Sequence, residues 1–208
     1  MPIELLKSLR FITPGIIIIL FWAFLGSVTG DWKIVVPKSI SDFGSHLPAI
    51  VAAVVYYLTP LRDWANRKHF DSINQNIRRR MVSIGGGNLE SPRSEWPKLR
   101  RLFYKIVDSD GSLKLHAKRA YFNGYIWTTI ADTKAIAIFF ATYALLHHFL
   151  FSSQSALIGL AIFAFLAIIC WPIGEIVTRK HKEIGDEQLA IIEQFHRCQV
   201  LKYFLEDG

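Results

Sequence analysis

The residues of this chain best suited to chemistry are its arginines, lysines and histidines. Arg78-Arg79-Arg80 and Lys98-Leu99-Arg100-Arg101, joined by Lys118 and Arg119, are basic clusters of a kind that contacts phosphate or carboxylate. Anionic lipid headgroups are the favoured ligand, combined with a topology signal, because a juxtamembrane basic residue gains about 1 kcal/mol near an anionic leaflet. Docking of an acidic soluble protein is the second reading, and nucleic acid or a nucleotide the third. His46, His147 and His148 form another set. Three imidazoles brought together can hold a transition metal or sense pH, but interfacial histidine is common without either role, so no metal or cofactor is assigned.

Enzymatic patterns are few. Arg62 and His69 have the loose Arg-x6-His spacing that resembles the ribonuclease motif of HEPN domains, which implies acid–base work on a phosphodiester by those two residues. Asp108-Ser109-Asp110-Gly111 resembles part of a calcium loop, but Ile106 and Ala117 stand at the first and twelfth ligand positions. Gly85-Gly86-Gly87 lacks the Lys-Ser/Thr and the preceding strand of a phosphate-binding loop. No Ser-His-Asp set or metalloprotease motif occurs, so the chain is read as a non-enzyme.

The elements that must position these residues are mostly apolar. Of 208 residues 51% are hydrophobic, and they are concentrated in segments. Residues 11–29 and 155–174 carry no charge, and each has about the 20 residues an α-helix needs to cross a hydrocarbon core. Residues 43–61 and 135–151 are weaker candidates. The reading is an all-α membrane protein with four transmembrane helices in two hairpins. The first apolar run is too long for a signal peptide, and Gly26–Gly30 is a poor cleavage site, so it is read as a retained helix.

Residues 61–132 hold 14 Lys or Arg against 7 Asp or Glu, a balance of +7 that equals the formal net charge of the chain. Arg179-Lys180-His181-Lys182 follows the last apolar segment, whereas residues 30–46 are neutral and 152–155 uncharged. The positive-inside rule therefore puts the central stretch, the tail and both termini in the cytoplasm of a bacterial inner-membrane protein. The expected parts are a first hairpin over 1–61, a basic helical insert over 62–132, a second hairpin over 133–177 and an amphipathic helical tail over 178–208.

Within the insert, Leu99, Leu102, Phe103 and Ile106 recur at helical spacing. The turn at residues 108–112 can cap the next helix. In the tail, Ile184, Ile191, Phe195, Cys198 and Leu205 lie along one face, broadened by Leu189, Ile192, Leu201 and Phe204. That face must pack on the insert, on a second copy or on a partner protein. Cys170 and Cys198 read as free thiols. Ala49, Ala52, Ala53, Gly159, Ala161, Ala164 and Ala167 allow close helix approach, and a homo-oligomer, dimer or tetramer, is expected. Within the four apolar segments no Asp, Glu, Lys or Arg is expected at mid-depth, which counts against ion-coupled transport.

The two hairpins, the basic run from Arg78 to Arg101 and the apolar tail from Ile184 to Leu205 resemble, in architecture, the small four-helix membrane components of bacterial anti-phage systems, such as the membrane subunit of Kiwa. The chain is read as an oligomeric sensor or scaffold coupling a membrane event to a soluble cytoplasmic partner, and the resemblance implies a place in antiviral defence. The alternative is a ligand-gated pore-forming effector, an ion channel that depolarises the membrane.

Overall fold

In the computed structural model, residues 3–30, 47–58 and 60–205 are described. Their α-helices are α1 (Ile3–Thr29), α2 (Leu47–Leu58), α3 (Leu61–Ile84), α4 (Trp96–Ser109), α5 (Gly111–Phe151), α6 (Gln154–Phe195) and α7 (Arg197–Leu205). A 3-10 turn at Pro92–Ser94 precedes α4, and no strand occurs among the described residues. The protein is all-helical, as the apolar periodicity implies. Three helices are long and apolar enough to cross a membrane: α1 over Glu4–Thr29, α5 over Gly111–Phe151 and α6 over Gln154–Phe195. These mark a membrane protein. The expected second span, 43–61, coincides in part with the 12-residue α2, and its first residues, with His46 and the first connection, lie outside the described residues.

Two units divide the chain. The first comprises Met1–Asn66 and Tyr125–Glu175, the second Arg67–Gly124 and Ile176–Gly208. The divisions fall inside α3, α5 and α6, so the residues between Tyr125 and Asp132, assigned to the basic insert from sequence, belong with the first unit.

The first unit is held by aromatic packing. Phe163 of α6 has its ring centroid 4.9 Å from that of Phe21 and 5.4 Å from that of Phe140, and Phe24 meets it edge-on at 5.7 Å. Gly159 makes this approach feasible: a Cβ there would sit 2.7 Å from Leu25 Cδ1. Such small-residue contacts are how helices associate where lipid removes the hydrophobic drive between them. Leu20, Phe139, Phe149, Phe165 and Ile168 are exposed instead, as side chains facing acyl chains would be. Pro14 is buried inside α1 and supplies no N–H to the carbonyl of Arg10, four residues back.

The second unit has an aliphatic core drawn from five helices: Met81 and Val82 (α3), Leu99, Phe103 and Ile106 (α4), Leu113 (α5), Leu189 and Ile192 (α6) and Val200 (α7). The insert and the tail thus share one core. Asp110 caps α5, its carboxylate accepting from Ser112 N (2.8 Å) and Leu113 N (3.1 Å). The triple glycine follows α3 because a ring must lie on it. Phe204 of α7 packs so closely that a Cβ at Gly85 would overlap the ring and one at Gly87 would come within 2.7 Å. Gly86 between them adopts φ +63°, the left-handed conformation glycine accepts without strain.

Candidate functional site

Two polar sites stand out, one in each unit. In the first, Asp132 of α5 is 1% exposed and receives four donors. Tyr56 Oη donates to Oδ1 (3.0 Å), Asn66 Nδ2 to Oδ1 (3.2 Å), Arg62 Nε to Oδ2 (3.2 Å), and Arg62 Nη2 lies 3.2 Å from Oδ2. Asn66 Nδ2 also donates to Arg62 O, while its buried Oδ1 accepts no hydrogen bond among the described residues. Arg62 Nη2 donates at 2.9 Å to Arg10 O, the carbonyl that Pro14 deprives of its helical donor. Arg10 Nε in turn donates to Thr128 Oγ1 (3.1 Å), and the Arg62 guanidinium lies 4.8 Å over the Tyr57 ring. One guanidinium therefore ties α1 and α5 to α3. The arrangement is that of a satisfied buried ion pair, whose carboxylate has no lone pair directed at open space.

The four apolar segments themselves carry no Asp, Glu, Lys or Arg, and the buried carboxylate lies just outside them. Asp132 lies only three residues before the apolar run at 135–151, and a residue count assigned it to the soluble insert. Its burial, and that of Thr128 and Trp127, is set by tertiary packing.

In the second unit the expected binding residues separate by role. Arg78 is withdrawn from the surface: Nε donates to Ser94 O (2.5 Å) and Nη2 to Leu89 O (2.7 Å), fastening the segment after the triple glycine. Ser94 Oγ donates to Asn88 O within the same segment. Arg80 makes an exposed ion pair with Glu193 at 3.4 Å, and Lys98 pairs with Glu95 (3.3 Å) while donating to Pro92 O. Arg79, Arg100, Arg101, Lys118 and Arg119 are exposed. Arg100 and Arg101 share the outer face of α4 with Lys105 and Tyr104, opposite the buried Leu99, Phe103 and Ile106.

The tail face also differs from expectation. Ile184 is buried and Ile191 half-buried, whereas Phe195, Cys198 and Leu205 are exposed. The buried stripe of α6 runs through Ile184, Gln188, Leu189 and Ile192. Two causes combine. Gln188, a polar residue, holds a buried position that an apolar count passes over, and the helix ends at Phe195, so α7 starts from a new phase at Arg197. Arg93 was missed as well: Nη1 donates to Phe204 O (2.7 Å) and Tyr203 O (3.3 Å), satisfying carbonyls at the end of α7. Its signal, a lone Arg beside Pro92, is indistinct from any surface arginine.

Histidines link α6 and the residue after it to the rest of this unit. His69 of α3, 6% exposed, hydrogen-bonds Thr178 Oγ1 through Nδ1 at 2.8 Å. Asn123 of α5 donates to Val177 O (3.1 Å) and to His181 Nδ1 (3.2 Å). His116 Nδ1 lies 3.2 Å from Glu187 Oε2, close enough to attract but not aligned as a hydrogen bond. His196 Nε2 meets Asp110 Oδ2 at 3.0 Å. The Ser112 hydroxyl above all, then His196 and the Leu113 amide, hold the Asp110 carboxyl well below the usual carboxylate range.

Arg62 and His69, the residues with nuclease-like spacing, are both engaged in buried contacts, Arg62 with Asp132 and His69 with Thr178. His147 is buried beside Tyr143 and Phe151, in a crevice also lined by Trp22 and Thr29. His148 Nδ1 instead bonds Ser153 O. Among the described residues no group of three or more His, Cys, Asp or Glu is placed to hold a metal ion.

The architecture and sites define an all-helical protein with span-length apolar helices and a separate basic helical unit. No family model matches the chain, and neither a curated protein nor a solved structure matches it.

Proposed function

We propose that the chain is a four-span inner-membrane protein with both termini in the cytoplasm, acting as an oligomeric scaffold or sensor that holds an acidic soluble partner on its basic unit. The docking face is the outer side of α4, where Arg100, Arg101, Tyr104 and Lys105 are exposed together, with Asp108 as the acid among them. One observation carries the reading: the central stretch and the tail share a core and form one folded unit. Residues 67–124 and 176–208 contain 18 Lys or Arg against 11 Asp or Glu, so this unit holds the full net charge of +7. A basic folded surface presented beside a membrane recruits acidic partners and speeds their encounter.

Two measurements test it. Cys198 is exposed and Cys170 buried, so a membrane-impermeant thiol reagent should label Cys198 in inverted vesicles and not in intact cells. Labelling from the outer face refutes the orientation. Partners recovered from native membranes should be lost in the Arg100→Glu/Arg101→Glu/Lys105→Glu variant. Recovery of the same partners refutes the docking face.

A further inference from the structure

The second unit carries a basic collar that the docking face does not use. We propose that Arg67, Lys68, Lys118, Arg119, Arg179 and Lys180 form a binding site for the phosphate of anionic lipid headgroups; this rests on the membrane reading above. All six side chains are exposed. A buried knot sets them at one level. The His69–Thr178 bond joins α3 to α6, and Asn123 joins α5 to α6 through Val177 O and His181. Arg67 and Lys68 immediately precede His69, Arg179 and Lys180 immediately follow Thr178, and Lys118 and Arg119 lie about one turn before Asn123. Three helices pinned at that knot must present their basic pairs around the same short stretch.

Large apolar side chains are exposed among these cations: Phe70, Phe122 and Ile176. Free phosphate offers them no environment. The headgroup region of a bilayer takes both kinds of side chain, with apolar groups reaching towards the acyl chains and lysine or arginine reaching the phosphates. Four acids lie within one helical turn of the six cations along the sequence, Asp63 and Asp71 about Arg67 and Glu175 and Glu183 about Arg179, with Glu183 3.1 Å from Lys180. The balance remains positive, and no acid lies within a turn of Lys118 or Arg119 along the sequence. In sequence Arg67 and Lys68 closely follow the apolar segment at 43–61, and Arg179 and Lys180 that at 155–174.

The test uses the full chain in phosphatidylcholine vesicles containing brominated phosphatidylglycerol or brominated phosphatidylcholine, with quenching of its tryptophans as the readout. The wild type should prefer the anionic lipid at least fivefold at low salt. A basic residue near such a surface is worth up to about fivefold, equivalent to about 1 kcal/mol, so Arg67→Gln/Arg119→Gln/Arg179→Gln should lower the preference at least severalfold. The corresponding Arg→Lys triple should keep it, which separates charge from fold.

An unchanged preference in the Gln triple overturns the proposal, as does a loss in the Lys triple. An equal loss in Arg100→Gln/Arg101→Gln/Lys105→Gln also overturns it, by making the effect one of net charge. Suppression of the preference by millimolar inorganic phosphate, with no matching effect of chloride at the same ionic strength, assigns the collar to soluble phosphate and overturns the lipid assignment. Failure of the orientation reading would show separately, as labelling of Cys198 from the outer face with the lipid preference intact.

Discussion

Removing Asp132 tests whether the polar knot of the first unit is a structural ion pair. Its carboxylate is 1% exposed and receives Tyr56, Asn66 and two nitrogens of Arg62 within 3.2 Å. Asp132→Leu leaves the Arg62 guanidinium, only 14% exposed, without its counter-charge. Breaking one side of a buried pair costs about 3–5 kcal/mol. Replacing both partners by apolar residues of similar volume is often near neutral. Here recovery must be partial, because Arg62 also serves Arg10 O, and Tyr56 and Asn66 lose their acceptor.

The expected pattern is therefore a loss of about 3–5 kcal/mol in Asp132→Leu and a similar loss in Arg62→Met. The double variant should be less destabilised than the sum of the two by at least about 1.5 kcal/mol, within the usual range for contacting residues. The assay is reversible unfolding in mixed micelles with increasing dodecyl sulfate, followed by circular dichroism. Single losses under about 1 kcal/mol, or strict additivity in the double variant, would refute the reasoning.

Other predictions concern particular contacts. Pro14→Ala restores an N–H that competes with Arg62 for Arg10 O, so it should lower the measured coupling between Arg62 and Asp132 rather than raise it; a double-mutant cycle in the Pro14→Ala background reads this. Gly85→Ala should destabilise the second unit by about 1–3 kcal/mol by driving a Cβ into the Phe204 ring, and Phe204→Leu should remove most of that increment in thermal melts. Gly86→Ala meets open space but a left-handed backbone, so its cost should be near 1 kcal/mol and insensitive to Phe204. Asp110 is depressed in the folded state, so its contribution is present above the ordinary carboxyl value of about 4 and is lost as pH falls below it towards the folded value. Melting temperatures measured from pH 6 down to pH 3 should decline, and Asp110→Asn should flatten that decline.

How much of this was legible in the sequence depends on which residues are considered. Residues 11–29 and 155–174 read directly as span-length helices because an uncharged apolar run has few other uses. The cap at Asp110 and the buried stripe Leu99, Phe103, Ile106 were also legible, because capping and amphipathic spacing are local. Asp132 was not. Its partners Arg62 and Asn66 lie 70 and 66 residues away, and local periodicity carries no trace of a pairing at that separation. The triple glycine matched no phosphate loop because its role is steric, set by a phenyl ring more than a hundred residues later. The tail face failed where one polar residue, Gln188, took an interior place and where the helix ended at Phe195 and restarted in a new phase.

Arg78 has a consequence for the electric field of the second unit. Both of its bonds go to neutral carbonyls, so the side chain is immobilised while its charge is left uncompensated by any acid among the described residues. A guanidinium held this way cannot reach out to a phosphate or a carboxylate. Its potential still extends about 10 Å into a solution of 0.1 M ionic strength and adds to that of the exposed cations. Arg78 thus contributes to the attraction of an incoming anion without becoming one of its contacts. On the proposed docking reading, replacing it by glutamine would slow capture of the partner, and it would also release the segment that Arg78 fastens.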